Sequence, residues 1–481
     1  MLKYLNPKLL FERTSNGHVP SYSHFIEQHP EYLKTKKLDK LRATDFARLD
    51  DQNHTYLDVT GGQLYGASLI EKHQTFLSNN ILGNPHSINP SSALAEKHIS
   101  ETRQRVLQYF NAGEDYVCIF TANASAAIKI VAECYPFNND GHLLLTSDNH
   151  NSVNGIREYA RKKDCPFTYS SLDNDLQFNA QELESNLSEL KGNDKLFAFP
   201  AQSNVSGIKH DMGWIGKAQA QGWDVLLDAA AFVPSDMLDL SVHKPEFVAI
   251  SFYKIFGYPT GLGALLIKKS AYEKLHKQSF TGGTITIVSV QGDGYFLEKE
   301  AARFEDGTVS YLQIPAITTG LDYIEEIGID LIKQRVKILT SFLFQELQKL
   351  MHENGKPLIK VYGPESMKSR GGTLVMNFHD INGNLYDFQQ IESDAFQKNI
   401  SIRTGCFCNP GIDETNHQLD KARLQQYFKL EGEKNYFDLI KFLGQKRGAV
   451  RVSIGFINNH SDIMKFIEFC RTYLGKKVAH N

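Results

Sequence analysis

Between Tyr116 and Ile267 short apolar runs recur, each closing on a polar turn and followed by a stretch with helical spacing. Strands that lack in/out alternation are buried on both faces, and helices between them predict a mostly parallel sheet covered on both sides. The strands so read are 116–120, 142–146, 196–199, 223–227 and 247–250, with a return strand ending at Ile267. Upstream, Ala95, Ile99, Val106 and Phe110 share one face of a helix. Residues 1 to about 55 read as charged helical material that ends at Tyr56-Leu57-Asp58 and the turn Gly61-Gly62. Beyond the sheet the pattern changes. Loops are expected around 281–284 and 304–308, then one long helix from about Ile314 to Leu350. A smaller α+β unit follows, with strands at 358–362, 373–378 and 449–453, and the polar stretch 412–447 reads as a helical insertion. The division expected is an N-terminal helical segment (1–55), a large α/β domain (56–315) and a small C-terminal domain (316–481) carrying a cysteine loop.

Composition narrows the class. At 481 residues the chain can bury a large core, and 41% hydrophobic with 22% charged residues is ordinary for a soluble protein. A net charge of −3 and the lack of dense Lys/Arg runs argue against nucleic acid and membrane surfaces as partners. The start Met1–Pro7 lacks the apolar core of a signal peptide, and no window is long enough to span a bilayer. Six cysteines are too few for a disulfide framework, so a reduced, cytoplasmic protein is expected, with Cys118, Cys134 and Cys165 as small buried hydrophobes.

The chemistry collects where strands end. In open α/β sheets ligands bind beyond the carboxyl ends of the strands. Successive ends here lead to Ser125, to His150, to Gln202-Ser203-Asn204, to Asp228, and to Ser251, Tyr253 and Lys254. A lysine with apolar neighbours on both sides is poorly solvated, which favours the neutral amine and attack on an aldehyde. Pyridoxal phosphate takes such a lysine as its Schiff-base partner and a carboxylate for its pyridine nitrogen. Asp228, inside Val225–Ala231, needs a cation beside it to stay ionised, and a protonated ring nitrogen would serve. His150 suits stacking on a flat ring, Ser125 and Ser251 suit a phosphate, Tyr253 offers a phenol, and Asn204 could bond a ring oxygen or a substrate carboxylate. The plain alternatives are a Ser-capped helix, a capping Asp, a loop His and a core Tyr.

A second centre lies at Ile402–Gly411, where Cys406 and Cys408 stand two apart in a turn-rich loop. Nearby Arg403 would favour a thiolate, and one working thiol is preferred over a zinc site, for which C-x-C alone is a weak signature. Arg403 and Arg451 are candidates to clamp a substrate carboxylate, or else to bridge domains.

These segments together resemble class V, fold type I pyridoxal-phosphate enzymes of the cysteine desulfurase group, and among them the desulfurase domain of molybdenum cofactor sulfurases. The residues that carry the likeness are Asn84–Ser87, Asp148–His150, Phe199–Asn204, Leu227–Ala231, Ser251–Gly263, Phe304–Thr308, Arg403–Gly411 and Gly448–Ser453. The resemblance implies the cofactor pyridoxal 5'-phosphate on Lys254, with Asp228 at its ring nitrogen, His150 stacked on it, and Ser125, Ser251 and Tyr253 around the phosphate. It implies Asn204, Arg403 and Arg451 near the substrate, L-cysteine as that substrate, a persulfide on Cys408, a sulfur acceptor and a homodimer. Two departures stand out: the family's further cysteine after the loop glycine is Ile412 here, and no large C-terminal domain follows before Asn481. The rival readings are another class V chemistry (aminotransferase, epimerase or lyase) with an incidental Cys408, and a non-catalytic scaffold.

Overall fold

The computed structural model describes residues 21–277 and 280–478. Residues 1–20 of the expected N-terminal segment, and with them the stretch read for a signal peptide, lie outside the described residues.

Seven strands form the main sheet: β1 (Tyr116–Thr121), β2 (Gly141–Thr146), β3 (Phe167–Ser170), β4 (Asp194–Pro200), β5 (Asp224–Asp228), β6 (Phe247–Ser251) and β7 (Gly263–Lys268). Their order across the sheet is β1-β7-β6-β5-β4-β2-β3. β6, β5, β4, β2 and β3 pair in parallel, while β7 runs antiparallel to both β6 and β1. One apolar cluster covers each face, so β2, β5 and β6 are buried along their whole length, as their unbroken hydrophobic runs require. The antiparallel return of β7 has a local cause. The chain doubles back within 252–262, too short for a crossover helix, and can only lie beside β6 in the opposite direction.

The expected long helix is two helices, Pro315–Ile327 and Ile329–Gln348, divided at Gly328 with φ +96°. The second packs into its own apolar cluster with a four-stranded antiparallel sheet. That sheet comprises Ile359–Val361, Thr373–Phe378, Arg403–Gly405 and Ala449–Ser453, with the last strand lying between Thr373–Phe378 and Arg403–Gly405. The N-terminal chain is sewn onto this sheet. Thr55–Tyr56 pairs in parallel with Ile400–Ser401, and Asp58 bridges to Ser453. Buried Arg335 ties the preceding helices to the same place, donating to Thr35, Tyr32, Asp39 and the Asn458 carbonyl.

Two stretches outside these sheets fold locally. Ile285–Ser289 and Gly294–Leu297 form a two-stranded hairpin that leaves Ile287, Val288 and Phe296 exposed. The polar insertion folds into helices Pro410–Asn416, Lys421–Tyr427 and Tyr436–Leu443, with Tyr427, Leu439 and Leu443 as a small core. Among the described residues no helix is long and apolar enough to cross a membrane.

Candidate active site

At the carboxyl ends of β4, β5 and β6 a cavity of about 170 Å³ opens, lined among others by Ser125, His150, Gln202, Asn204, Asp228, Ser251, Tyr253 and Lys254. The lysine is delivered by the turn-back after β6. Phe252–Phe256 make one helical turn in which Phe252, Ile255 and Phe256 are buried, which leaves Tyr253 and Lys254 for the cavity. Lys254 Nζ has no hydrogen-bond or ion-pair partner among the described residues. Enclosure by protein pushes its pKa below the ordinary lysine value; Asp228 opposes that shift and Arg451 adds to it. The amine is thus held toward its neutral, nucleophilic form.

Asp228 ends β5 and is nine-tenths buried; its Oδ1 accepts from the Ala230 N–H at 3.0 Å. His150 caps the next turn, Nδ1 accepting from the Ser152 N–H at 3.1 Å, and burial lowers its pKa so that the ring is neutral at pH 7. Opposite lies the N-terminus of the eleven-residue helix Ala124–Cys134, capped by the Asn123 side chain. Ser251 Oγ accepts from the Ala124 N–H at 2.9 Å, and Ser125 and Ser152 share a hydrogen bond. β7 begins against this end: a Cβ on Gly263 would lie 2.5 Å from the Ile250 carbonyl and 2.6 Å from the Asn123 backbone. The close approach packs three chain segments around a positive helix end, a setting that suits a phosphate.

Arg403 and Arg451, expected either to clamp a substrate carboxylate or to bridge domains, share a partner that the residue pattern does not reveal. Arg403 and Arg451 are direct cross-strand partners. Asp58 lies between them, Oδ2 accepting from Arg403 Nε at 2.9 Å and Nη2 at 2.6 Å, Oδ1 from Arg451 Nη2 at 2.7 Å. Asp58 comes from 345 residues away, so no local spacing signals it. Gln202 stands at a strand end, where the residue pattern assigns it no role. Its Nε2 donates to the Ala231 carbonyl, while its buried Oε1 has no partner in the structure.

The cysteine loop is docked on the cavity wall. Asn204 donates from Nδ2 to the Phe407 carbonyl at 2.9 Å, and the Asn151 N–H donates to the Cys408 carbonyl at 2.7 Å. Asn409, wholly buried, donates to the Asp148 carbonyl at 2.6 Å and to Asn204 Oδ1 at 3.0 Å. Thus the Asn204 amide, expected near ring or substrate, is engaged by the loop. Phe407 is buried beneath Arg451, 5.2 Å from its ring centre, whereas Cys408 is exposed. Both residues have left-handed backbone, φ +55° and +54°, a conformation that costs roughly 1 kcal/mol each. Cys406 is half-buried, and burial raises its pKa. Among the described residues no group of His, Cys, Asp and Glu gathers into a metal site.

The donor set can be tested against pyridoxal phosphate. The group needs a free amine, a buried carboxylate across the ring, a polar partner for its ring oxygen and a phosphate cradle. Among the described residues Lys254 has no hydrogen-bond partner and the second oxygen of buried Asp228 is unengaged, Gln202 holds an orphaned amide oxygen, and the Ala124 helix end supplies the cradle. They fit. Sheet order, turn-back lysine and strand-end carboxylate define a protein of the fold type I pyridoxal-phosphate class.

Within that class the chain belongs to the aminotransferase class-V family, whose model matches residues 55–466. It is 36% identical over 459 residues to molybdenum cofactor sulfurase from Homo sapiens, covering 90% of this chain and 51% of that protein. With the namesake from Solanum lycopersicum it shares 35% identity over 469 residues, 90% of this chain and 57% of the other. The chain therefore spans a little over half the length of these relatives. Among solved structures, the cysteine desulfurase of Thermococcus onnurineus NA1 superimposes with TM-score 0.74 at 21% identity, covering 90% of this chain and 97% of that one. A cysteine desulfurase from Escherichia coli does so with TM-score 0.70 at 19% identity, over 91% and 98%.

Proposed function

We propose that the protein is a pyridoxal-phosphate-dependent sulfurtransferase that takes sulfur from L-cysteine, leaves alanine, and carries the sulfur as a persulfide on Cys408. One observation carries this reading: the backbone carbonyls of Phe407 and Cys408 are hydrogen-bonded to Asn204 and Asn151, so an exposed thiol hangs from the wall of the lysine cavity.

When bound, the cofactor supplies an electron sink for the substrate carbon that loses its proton. Lys254 would hold it, Asp228 would face its ring nitrogen, and His150 would lie against the ring. Gln202 would bond the ring oxygen. Ser125, Ser251, Tyr253 and the Ala124 helix end would hold the phosphate. Arg451 and Arg403 would take the substrate carboxylate, fixing which bond at the α-carbon faces the cofactor. Lys254 Nζ, kept toward neutral by its enclosure, moves the α-proton. Cys408 Sγ then attacks the substrate sulfur. An S–S bond forms as the carbon–sulfur bond breaks, the electron pair stays with the substrate carbon, and a proton completes alanine. No external oxidant or reductant is required.

The acceptor of the sulfur, by the likeness to molybdenum cofactor sulfurases, is read as the molybdenum cofactor. All six cysteines are free, in keeping with a reducing cytoplasmic setting. We read the working unit as a homodimer, a reading supported by the exposed apolar hairpin at 285–297. The division at about 55 and 315 into helical segment, cofactor domain and small domain belongs to the same proposal.

The test is alanine release from L-cysteine with a reductant, with peptide mass spectrometry for sulfur on the 403–411 loop. Wild type is expected to release alanine and carry that sulfur. Cys408→Ser is expected to lose about a hundredfold or more in rate while keeping its visible absorption. Full activity in Cys408→Ser overturns the proposal.

A further inference from the structure

Asp58 is a carboxylate close enough to the site to act on the charge of Lys254, and it occupies the two arginines proposed for the substrate. Cross-strand neighbours of like charge destabilise a sheet, and Arg403 and Arg451 lie directly opposite each other. A buried guanidinium without an anion is costly, and Arg451 is 3% exposed. Asp58 answers both problems at once, taking two N–H groups from Arg403 and one from Arg451.

Its placement is rigid. The Leu57 N–H donates to the Ser401 carbonyl and the Ser453 N–H to the Leu57 carbonyl, clamping the segment between two strands. The Asp58 carbonyl accepts from Gly61 and Gly62, and a Cβ on Gly61 would come within 2.6 Å of the Asp58 carboxylate. Arg451 is fixed from a second side, Nη1 donating to the Asn204 carbonyl at 2.9 Å, while its buried Nε has no partner in the structure. Two acceptors from distant segments thus set the plane of this guanidinium and leave N–H groups over. The charge sum of the three residues is one positive, which matches a single carboxylate.

We infer that Asp58 is a positioning residue for substrate binding: it holds Arg403 and Arg451 in the geometry that receives the α-carboxylate of an amino acid. The inference rests on the proposed reading of the arginines as the carboxylate site. The opposite role, a plug that the substrate must displace, predicts the reverse sign in the same experiment.

The experiment titrates the holoenzyme with L-alanine and with ethylamine, which differ by the carboxylate alone, following cofactor absorption and heat of binding. Asp58→Asn is expected to weaken L-alanine by about tenfold and to leave ethylamine within about twofold. With L-cysteine the variant is expected to raise KM by a similar factor and change kcat far less. Asp58→Glu, which keeps the charge, is expected to fall between wild type and Asp58→Asn, and it serves alone if the amide variant does not fold. Unchanged or tighter L-alanine binding in either variant overturns the inference, as does equal weakening of both amines. A wild type that binds L-alanine yet releases none from L-cysteine would fail the desulfurase proposal while leaving this comparison intact.

Discussion

Lys254 lines the cavity and Cys408 stands on the loop docked against its Asn204 wall, and the two are carried by opposite kinds of backbone. The lysine follows a strand buried at every position, in the middle of a seven-stranded ladder, and its flanking phenylalanines are in the core. The thiol sits on a left-handed turn, exposed, with its loop held to the wall by hydrogen bonds from Asn204, Asn151 and Asn409. Ladder and core are cooperative, so the lysine moves only if the sheet opens. A few loop hydrogen bonds, each worth about 1 kcal/mol net, release far more readily. On the proposed function, an amine that must stay and a thiol that must dock and then deliver sulfur call for this division.

The comparison breaks most visibly at the lysine. Lys254→Ala is expected to lower alanine release by about a thousandfold or more and to abolish the visible band of the bound cofactor. Absorption spectroscopy with an alanine assay checks this, and the fold, set by the sheet, is expected to survive by circular dichroism.

A smaller effect is expected at the root of the thiol loop. Asn409→Ala removes hydrogen bonds to Asp148 and Asn204 and the cap on Ile412. Activity is expected to fall about tenfold with cofactor absorption retained, because leaving these buried partners unpaired costs about 1–3 kcal/mol and favours the undocked loop. Faster proteolysis within 403–411 in this variant, measured beside wild type, would report the undocking; loss of cofactor instead would mean that the two arms are not separable.

The smallest effect sharpens the rigid side. Lys254 has a pKa depressed by enclosure below 10.5, so near neutral pH the unfolded chain binds a proton that the folded apo protein holds less well. Stability then rises with pH between the depressed value and 10.5, and the penalty is gone above 10.5. Cofactor-free Lys254→Met is expected to melt about 1–2 °C above cofactor-free wild type near pH 7. The gap should close as the pH approaches 10.5. Calorimetry across that range decides it, and a gap that widened with pH would reverse the assigned shift.

Much of the cofactor side is legible along the chain, because its signals are local. Unbroken apolar runs mark strands buried on both faces, and the polar residue after each run marks the edge where ligands bind. Ser125, His150, Asp228 and Lys254 each follow such a run, and all four line one cavity. Helix ends are less legible. Gly328 divides what the apolar periodicity presents as one helix, since hydrophobic spacing continues across a change of direction.

The substrate side is another matter. That Arg403 faces Arg451 is a property of strand register, and that Asp58 lies between them depends on a parallel bridge between residues nearly four hundred positions apart. Asn204 reads as a ligand for ring or substrate, and its engagement with Phe407 and Asn409 follows from how the small sheet sits against the large one. The sequence by itself determined which residues close each strand, because period and punctuation are short-range. Only the tertiary structure decided which charges meet and which loop docks, because pairings between distant segments are selected by the packing of the whole chain.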